Sequence, residues 1–202
     1  MFFLTSRLKA LLSGGIRNAF KEHPWTFRAV LAIVDHLTSV PFKLKDGTMA
    51  EPKDVESGPW YDLFLSPSRD LTRRQLWELT AHYYLGGGAY WVLYGRLDLV
   101  RTEKEMPTEI QVWPARCVTP RKADDGTLLG YRLDLGRGNS VNLERYQVID
   151  IRRVDPDDPI AGISMGDASS RAIRTDDKAG RWNEALLDND ATPSGILSSE
   201  QE

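Results

Sequence analysis

Three histidines, one cysteine, a run of three glycines and a cluster of aspartates are the residues of this 202-residue chain whose types could support chemistry. His23, His36 and His82 have no cysteine or carboxylate at a metal-ligand spacing such as HxxxH or CxxC, so no metal site is predicted. No serine sits in a GxSxG elbow and no Cys-His arrangement is suggested, which leaves no nucleophile. Cys117 is the single cysteine; it cannot form an intrachain disulfide, and it reads as a small core residue in a reducing compartment. Gly86-Gly87-Gly88 lacks the GK[ST] ending of a phosphate loop. It also follows a helix and precedes a strand, the reverse of the order that points helix amides at an anion. A helix stop that lets the chain reverse tightly is the reading. Asp155-Pro156-Asp157-Asp158-Pro159 lacks the glycine and distal Glu of a calcium loop and reads as a rigid connector. No catalytic residue, metal or cofactor is therefore expected, and the chain is read as non-catalytic.

One charge pattern survives. Arg171, Arg174, Lys178 and Arg181 recur at three- and four-residue steps, which puts them in one stripe of a helix. One reading is a solvated face paired with Asp167, Asp177, Glu184 and neighbouring chains. The other is weak phosphate contact along a channel. Twenty-six basic against twenty-nine acidic residues, a formal charge of −3, argue against gripping nucleic acid by bulk electrostatics. The apolar start Met1-Phe2-Phe3-Leu4 is too short for a signal-peptide core. Ala29 to Val34 falls far short of the ~20 apolar residues of a membrane span, so no membrane partner is expected.

These residues need elements to position them. With 41% apolar and 27% charged residues the composition is that of a globular chain. Thr5 to Phe20, basic and split by Gly14-Gly15, reads as a loosely held arm. Pro24 at a first turn, then Trp25, Val30, Ile33, Val34 and Leu37 at helical spacing, predict a buried helix over 25–39 that Pro41 stops. A short strand from Val40 to Lys45, a turn at Asp46-Gly47, a loop from Thr48 to Pro59 and an anchoring turn at Trp60 to Leu65 follow. Thr72 and Gln75 form a capping box, Leu71 and Leu76 fit a hydrophobic staple, and Leu76, Leu79 and Tyr83 continue one face of a helix ending at the glycines. The period then changes to two. Strands are predicted at Ala89–Tyr94, Glu109–Trp113, Cys117–Arg121, Leu128–Leu135 and Gln147–Val154, with Asp125-Gly126 as a hairpin turn. A final helix over Asp167–Leu187 carries Ala172, Ala179, Trp182, Ala185 and Leu186 as apolar members, and Thr192 to Leu197 turns into another strand. The class is α+β.

Taken in order, these pieces resemble the portal proteins of long-tailed double-stranded DNA phages. "LTRRQLWELTAHYYLGGGAYWVLYG" (Leu71 to Gly95) is similar to that family's capped helix running into "GNAY" and a strand, with Gly87 in place of the usual Asn. "IQVWPARCVTP" (Ile110 to Pro120) resembles its "L-x-P-x-x-V" strand pair. "GYRLDL" followed by "YQVIDIRRVDPDDPIAGIS" resembles "Y…dViHir…G.S", with Asp150 at the customary His, and "RTDDKAGRWNEALLDNDATPSGIL" (Arg174 to Leu197) resembles the helix leading to "a.PsGvL".

The resemblance implies a structural subunit of a homo-oligomeric ring, dodecameric in the complete protein, at the capsid vertex of a phage or prophage virion. DNA would be packaged and ejected through it, with weak non-specific contact. Terminase, capsid, head-completion and tail proteins are the implied partners, and the bacterial host cytoplasm is where assembly would occur. Residues 1–23 would be a flexible arm, 24–160 a wing-like α+β domain, 161–190 a stem-like helix and 191–202 the start of a truncated clip-like segment. Arg171, Arg174, Lys178 and Arg181 would contact channel DNA or the adjacent subunit. The alternative is a small phage interaction module or portal relic that binds capsid or terminase proteins without forming a channel.

Overall fold

A computed structural model describes residues 23–48, 51–96, 98–160 and 162–189, without the side chains of 166–168 and 170. The predicted arm and the terminal strand Thr192–Leu197 lie outside the described residues. Among the described residues, four helices and eight strands make an α+β fold: α1 (Pro24–Ser39), β1 (Leu44–Asp46), β2 (Lys53–Val55), α2 (Pro59–Leu65), α3 (Arg73–Leu85), β3 (Ala89–Tyr94), β4 (Glu109–Pro114), β5 (Val118–Lys122), β6 (Leu128–Gly136), β7 (Asn139–Glu144), β8 (Val148–Ile151) and α4 (Met165–Asp188). The strands form a β1-β2 hairpin and two antiparallel three-stranded sheets, ordered β4-β3-β8 and β5-β6-β7.

β3 is the centre of the fold. Its run AYWVLY has no polar face because both faces are covered, and alternation decides which side chain meets which layer. Tyr90 and Val92 pack on Val118, Tyr131, Leu133, Leu143 and Val148 of the second sheet and β8. Trp91 turns the other way, onto Leu63 of α2, Leu76 of α3 and Ile110 of β4. The Trp91 indole N–H donates to Thr80 Oγ1 at 2.8 Å, and that hydroxyl donates to the Leu76 carbonyl at 2.6 Å, which satisfies both side chains, whereas the buried Trp77 indole N–H beside them has no hydrogen-bond partner among the described residues.

α3 is defined by its ends. Thr72 Oγ1 accepts from the Gln75 amide at 3.3 Å, and the Thr72 amide donates to Gln75 Oε1 at 2.9 Å, completing the predicted capping box. At the other end the Gly88 amide reaches Tyr83 O (2.9 Å) and the Gly87 amide reaches Tyr84 O (3.2 Å), the paired bonds of a Schellman stop. Gly87 and Gly88 have φ of 122° and 148°, which a side chain would resist. The buried residues of α3 are Leu76, Thr80, Ala81 and Leu85, whereas Leu79 and Tyr83 are half-buried. The helix lies between two layers: Leu76 and Thr80 meet the sheet side, and Ala81 and Leu85 meet Val30 and Val34 of α1.

Five expectations are corrected. α1 starts at Pro24 with His23 Nδ1 accepting from the Thr26 amide, but only Val30 and Val34 are buried. Trp25, Ile33 and Leu37 are 77%, 46% and 44% exposed, so the apolar arc of α1 extends well past the strip that is buried. The strand expected over 40–45 begins only at Leu44. Pro41 has no N–H to pair, and Arg73 occupies the Phe42 carbonyl at 2.7 Å. Part of the expected loop 48–59 is β2, paired with β1 through Leu44–Val55. β7 was not expected, because NSVNLE has only Val141 and Leu143 to mark a strand; Leu143 is fully buried and Val141 is not. β5 is shifted by one residue because a 3-10 turn takes Cys117, and β8 is shorter than expected: a second 3-10 turn takes Gln147, and the strand ends at Ile151, before Arg152 turns to the Ile160 carbonyl. Cys117 packs half-buried against the inter-sheet core.

Replacing Thr72 with Ala is expected to cost about 1 kcal/mol, and Leu76→Ala about 3 kcal/mol. Both are read as shifts of the urea unfolding midpoint at constant slope.

Candidate functional site

The basic stripe sits on α4, and the chain fixes where α4 leaves the body. Arg152, just past β8, lies beside Asp150 with Nη1 at 2.9 Å from Oδ2, the oxygen that also accepts from the Tyr131 hydroxyl at 3.0 Å. Arg152 also donates to the carbonyls of Ile160 and Pro159, folding the Asp-Pro segment back on the sheet. From the second sheet, Lys122 Nζ contacts both Asp158 oxygens at 2.8 Å. A bridge between Val154 and Gly162, with the Ile163 amide on Arg153 O at 3.0 Å, completes the brace. Burial pushes the Asp150 carboxyl above its ordinary value, against the opposing pull of Arg152 and the Tyr131 hydroxyl. Burial and the nearby Asp150 charge likewise raise the Tyr131 phenol.

The glycine run is part of this brace. A Cβ on Gly162 would collide with the Gly87 carbonyl, and one on Gly88 would stand 3.2 Å from Arg152 Cβ. The space beside Gly87 is filled by Ser164 and Ala115. Protein atoms thus occupy the place where a phosphate cradle would have to be. The triplet stops α3, as predicted, and also admits the strand that leads into α4. Sequence reasoning missed Arg152 and Tyr131 as members of this brace. Their only signals were a Tyr and an Arg in strands whose register could not be read locally.

α4 is 24 residues long, and none of its described side chains is buried. Arg171, Arg174, Lys178 and Arg181 are all exposed. At about 100° per residue they span an arc of about 80°, so the structure brings them together on one side. Among the described residues no carboxylate lies within 4.0 Å of any of the four. The expected pairing with Asp177 and Glu184 is not formed within the chain; an exposed pair gains too little to offset the entropy of fixing two long side chains. The side chain of Asp167 is outside the described residues. Asp176, roughly opposite Arg174 on the helix, instead contacts His23 Nε2 at 2.6 Å, so the cations point away from the start of α1. Trp182 is 66% exposed, and Ala172, Ala179 and Leu186 are exposed with it.

No cluster of His, Cys, Asp or Glu able to hold a metal ion occurs among the described residues, and no described helix is long and apolar enough to cross a membrane. His23 is a helix cap and an Asp176 partner; His82 is half-buried on α3, where burial lowers its pKa.

Arg152→Ala would leave Asp150 buried opposite no cation and release the Ile160 carbonyl. An expected loss of about 2–3 kcal/mol, below the full cost of breaking a buried pair because Arg152 also reaches the surface, is checked by denaturant unfolding. Faster amide exchange at 160–164 than in α3 should accompany it.

The family model for phage portal proteins matches residues 24–202. A protein of Rickettsia bellii (strain RML369-C) is 24% identical over 186 residues, covering 89% of this chain and 46% of its own length. A protein of Rickettsia felis (strain ATCC VR-1525 / URRWXCal2) is 25% identical with the same coverage. Among solved structures, the neck of an empty gene transfer agent (GTA) particle computed with C6 symmetry gives a TM-score of 0.75 at 25% identity, covering 93% of this chain and 52% of that one. A chain from the virion of a native GTA particle gives 0.72 at 24%, covering 93% and 51%. The chain therefore spans about half the length of the proteins it matches. With the match running from the first turn of α1 through the braced sheet to α4 and beyond, the chain belongs to the phage portal protein family.

Proposed function

We propose that this chain is the wing and first stem helix of a portal subunit, and that copies of the complete protein form a ring at a virion vertex through which double-stranded DNA passes. Residues 24–160 are the wing-like body in this reading, and 161–190 are the stem-like helix. The observation that carries it is α4: a helix about 36 Å long, braced at its base, with four exposed cations that no described acid of its own chain satisfies. A conduit must let a polyanion slide. A formal charge of −3 with one sparse basic stripe suits brief phosphate contact better than tight binding, because each added phosphate contact strengthens retention. The related GTA neck structures were computed with sixfold and twelvefold symmetry, which supports a closed ring of identical subunits. Terminase and the capsid, head-completion and tail proteins are the partners this role requires. The reading assigns the chain no catalytic step.

Native mass spectrometry and negative-stain microscopy of the complete gene product test the ring. A closed oligomer is expected, and a persistent monomer at micromolar concentration would sink the idea. Changing Arg171, Arg174, Lys178 and Arg181 together to Gln is expected to lower DNA packaged per particle. An unchanged yield would remove the stripe from the DNA path.

A further inference from the structure

The four cations do not occupy equivalent places on α4. At about 100° per residue, Arg171 and Lys178 share a sector with Trp182, while Asp177 and Glu184 share another with Ile173, about 140° round the helix. Arg174 and Arg181 fall midway between these sectors. Asp176, which His23 engages through Oδ2, lies on the far side. The first sector is exposed throughout, and Trp182 is its largest uncovered apolar side chain on α4 after Leu187 is set aside at the helix end. In the second, Glu184 is exposed and Asp177 and Ile173 are half-buried. Asp177 and Arg181 are four residues apart and Arg181 and Glu184 three, yet no such ion pair forms among the described residues. Each sector thus has the charge the other lacks.

We propose that α4 docks on α4 of a second copy of this chain, with the Arg171, Lys178 and Trp182 sector of one copy against the Ile173, Asp177 and Glu184 sector of the next, leaving Arg174 and Arg181 uncovered for phosphate. The inference rests on the ring reading above and assigns the stripe within it. In a closed ring a subunit meets its two neighbours through different surfaces, at about 120° for six copies and 150° for twelve. The separation of the two sectors falls in that interval. A large exposed indole supplies the desolvated anchor such a contact needs, and opposite charges around it set register and exclude like-charged alignments. Parallel neighbours at equal height bring Lys178 of one copy beside Asp177 of the next. Arg174 and Arg181 then remain together on the side opposite the His23 contact.

A mixture of unlabelled and 15N-labelled complete gene product, treated with a zero-length carbodiimide, tests this directly, because an amide forms only where an amine touches a carboxylate. The expected product is a mixed-isotope peptide joining Lys178 to Asp177 or Glu184. Lys178→Glu removes the reactive amine and so abolishes this link whatever the docking; the variant is therefore scored by sedimentation, where its dissociation constant should rise about tenfold, the equivalent of about 1.4 kcal/mol. It should self-associate less than wild type, and the combined variant Lys178→Glu with Asp177→Lys and Glu184→Lys should regain association. Arg174→Gln with Arg181→Gln should leave the cross-link intact while releasing duplex DNA at lower salt. Mixed-isotope links elsewhere but none on α4, or failure of the charge swap to restore association, would overturn the docking and leave the ring standing. Absence of every mixed-isotope link would overturn the ring reading itself.

Discussion

The burial of β3 on both faces is the constraint on which the rest of the structure depends. A strand with Tyr90 and Val92 on one side and Trp91 on the other cannot slip by one residue, since that would send each set into the wrong layer. The two layers it separates are built differently: helices α2 and α3 on one face, a polar-edged meander on the other. Because β3 starts immediately after Gly88, its fixed register also fixes where the α3 stop lies. Through Gly87 and Gly162 it fixes how closely the segment entering α4 can approach. The glycines therefore serve packing as much as turning.

The polar interactions are sorted by distance from this centre. The Thr80 and Trp91 bond is fully buried and neutral, so it costs no ionic desolvation. Asp150 and Arg152 sit at the margin, each 14% exposed, where a charged pair can still borrow solvent. Lys122 and Asp158 are exposed, and their contribution is one of direction more than of stability. At α4 the gradient ends: apart from Asp176, which meets His23, its cations and acids form no ion pair among the described residues, and Trp182 faces outward. A helix of that composition is stable in context only if something else covers part of it.

Much of this was legible in the sequence where the signal is local. The capping box, the glycine stop, the Asp125-Gly126 turn and the alternation of β3 are each written within a few residues, and the basic stripe needs only helical spacing. What was not legible depends on neighbours far along the chain. The apolar arc of α1 is wider than the strip its partner covers, and spacing alone cannot tell which part of such an arc is buried, so Trp25 and Ile33 read as members of a core they do not join. β7 is an edge strand whose polar residues hide its pairing. The brace at Arg152 joins residues of β6, β8 and the Asp-Pro segment, and only the folded register shows it.

The brace at Arg152, Lys122 and Gly162 makes α4 a lever with its fulcrum at the edge of a sheet. A helix of this length converts a rotation of about 5° at its base into a displacement of about 3 Å at Asp188. Any twist imposed on β8 would thus arrive enlarged at the far end of the helix. Local chemistry at one aspartate and one arginine can in this way place side chains tens of ångströms away.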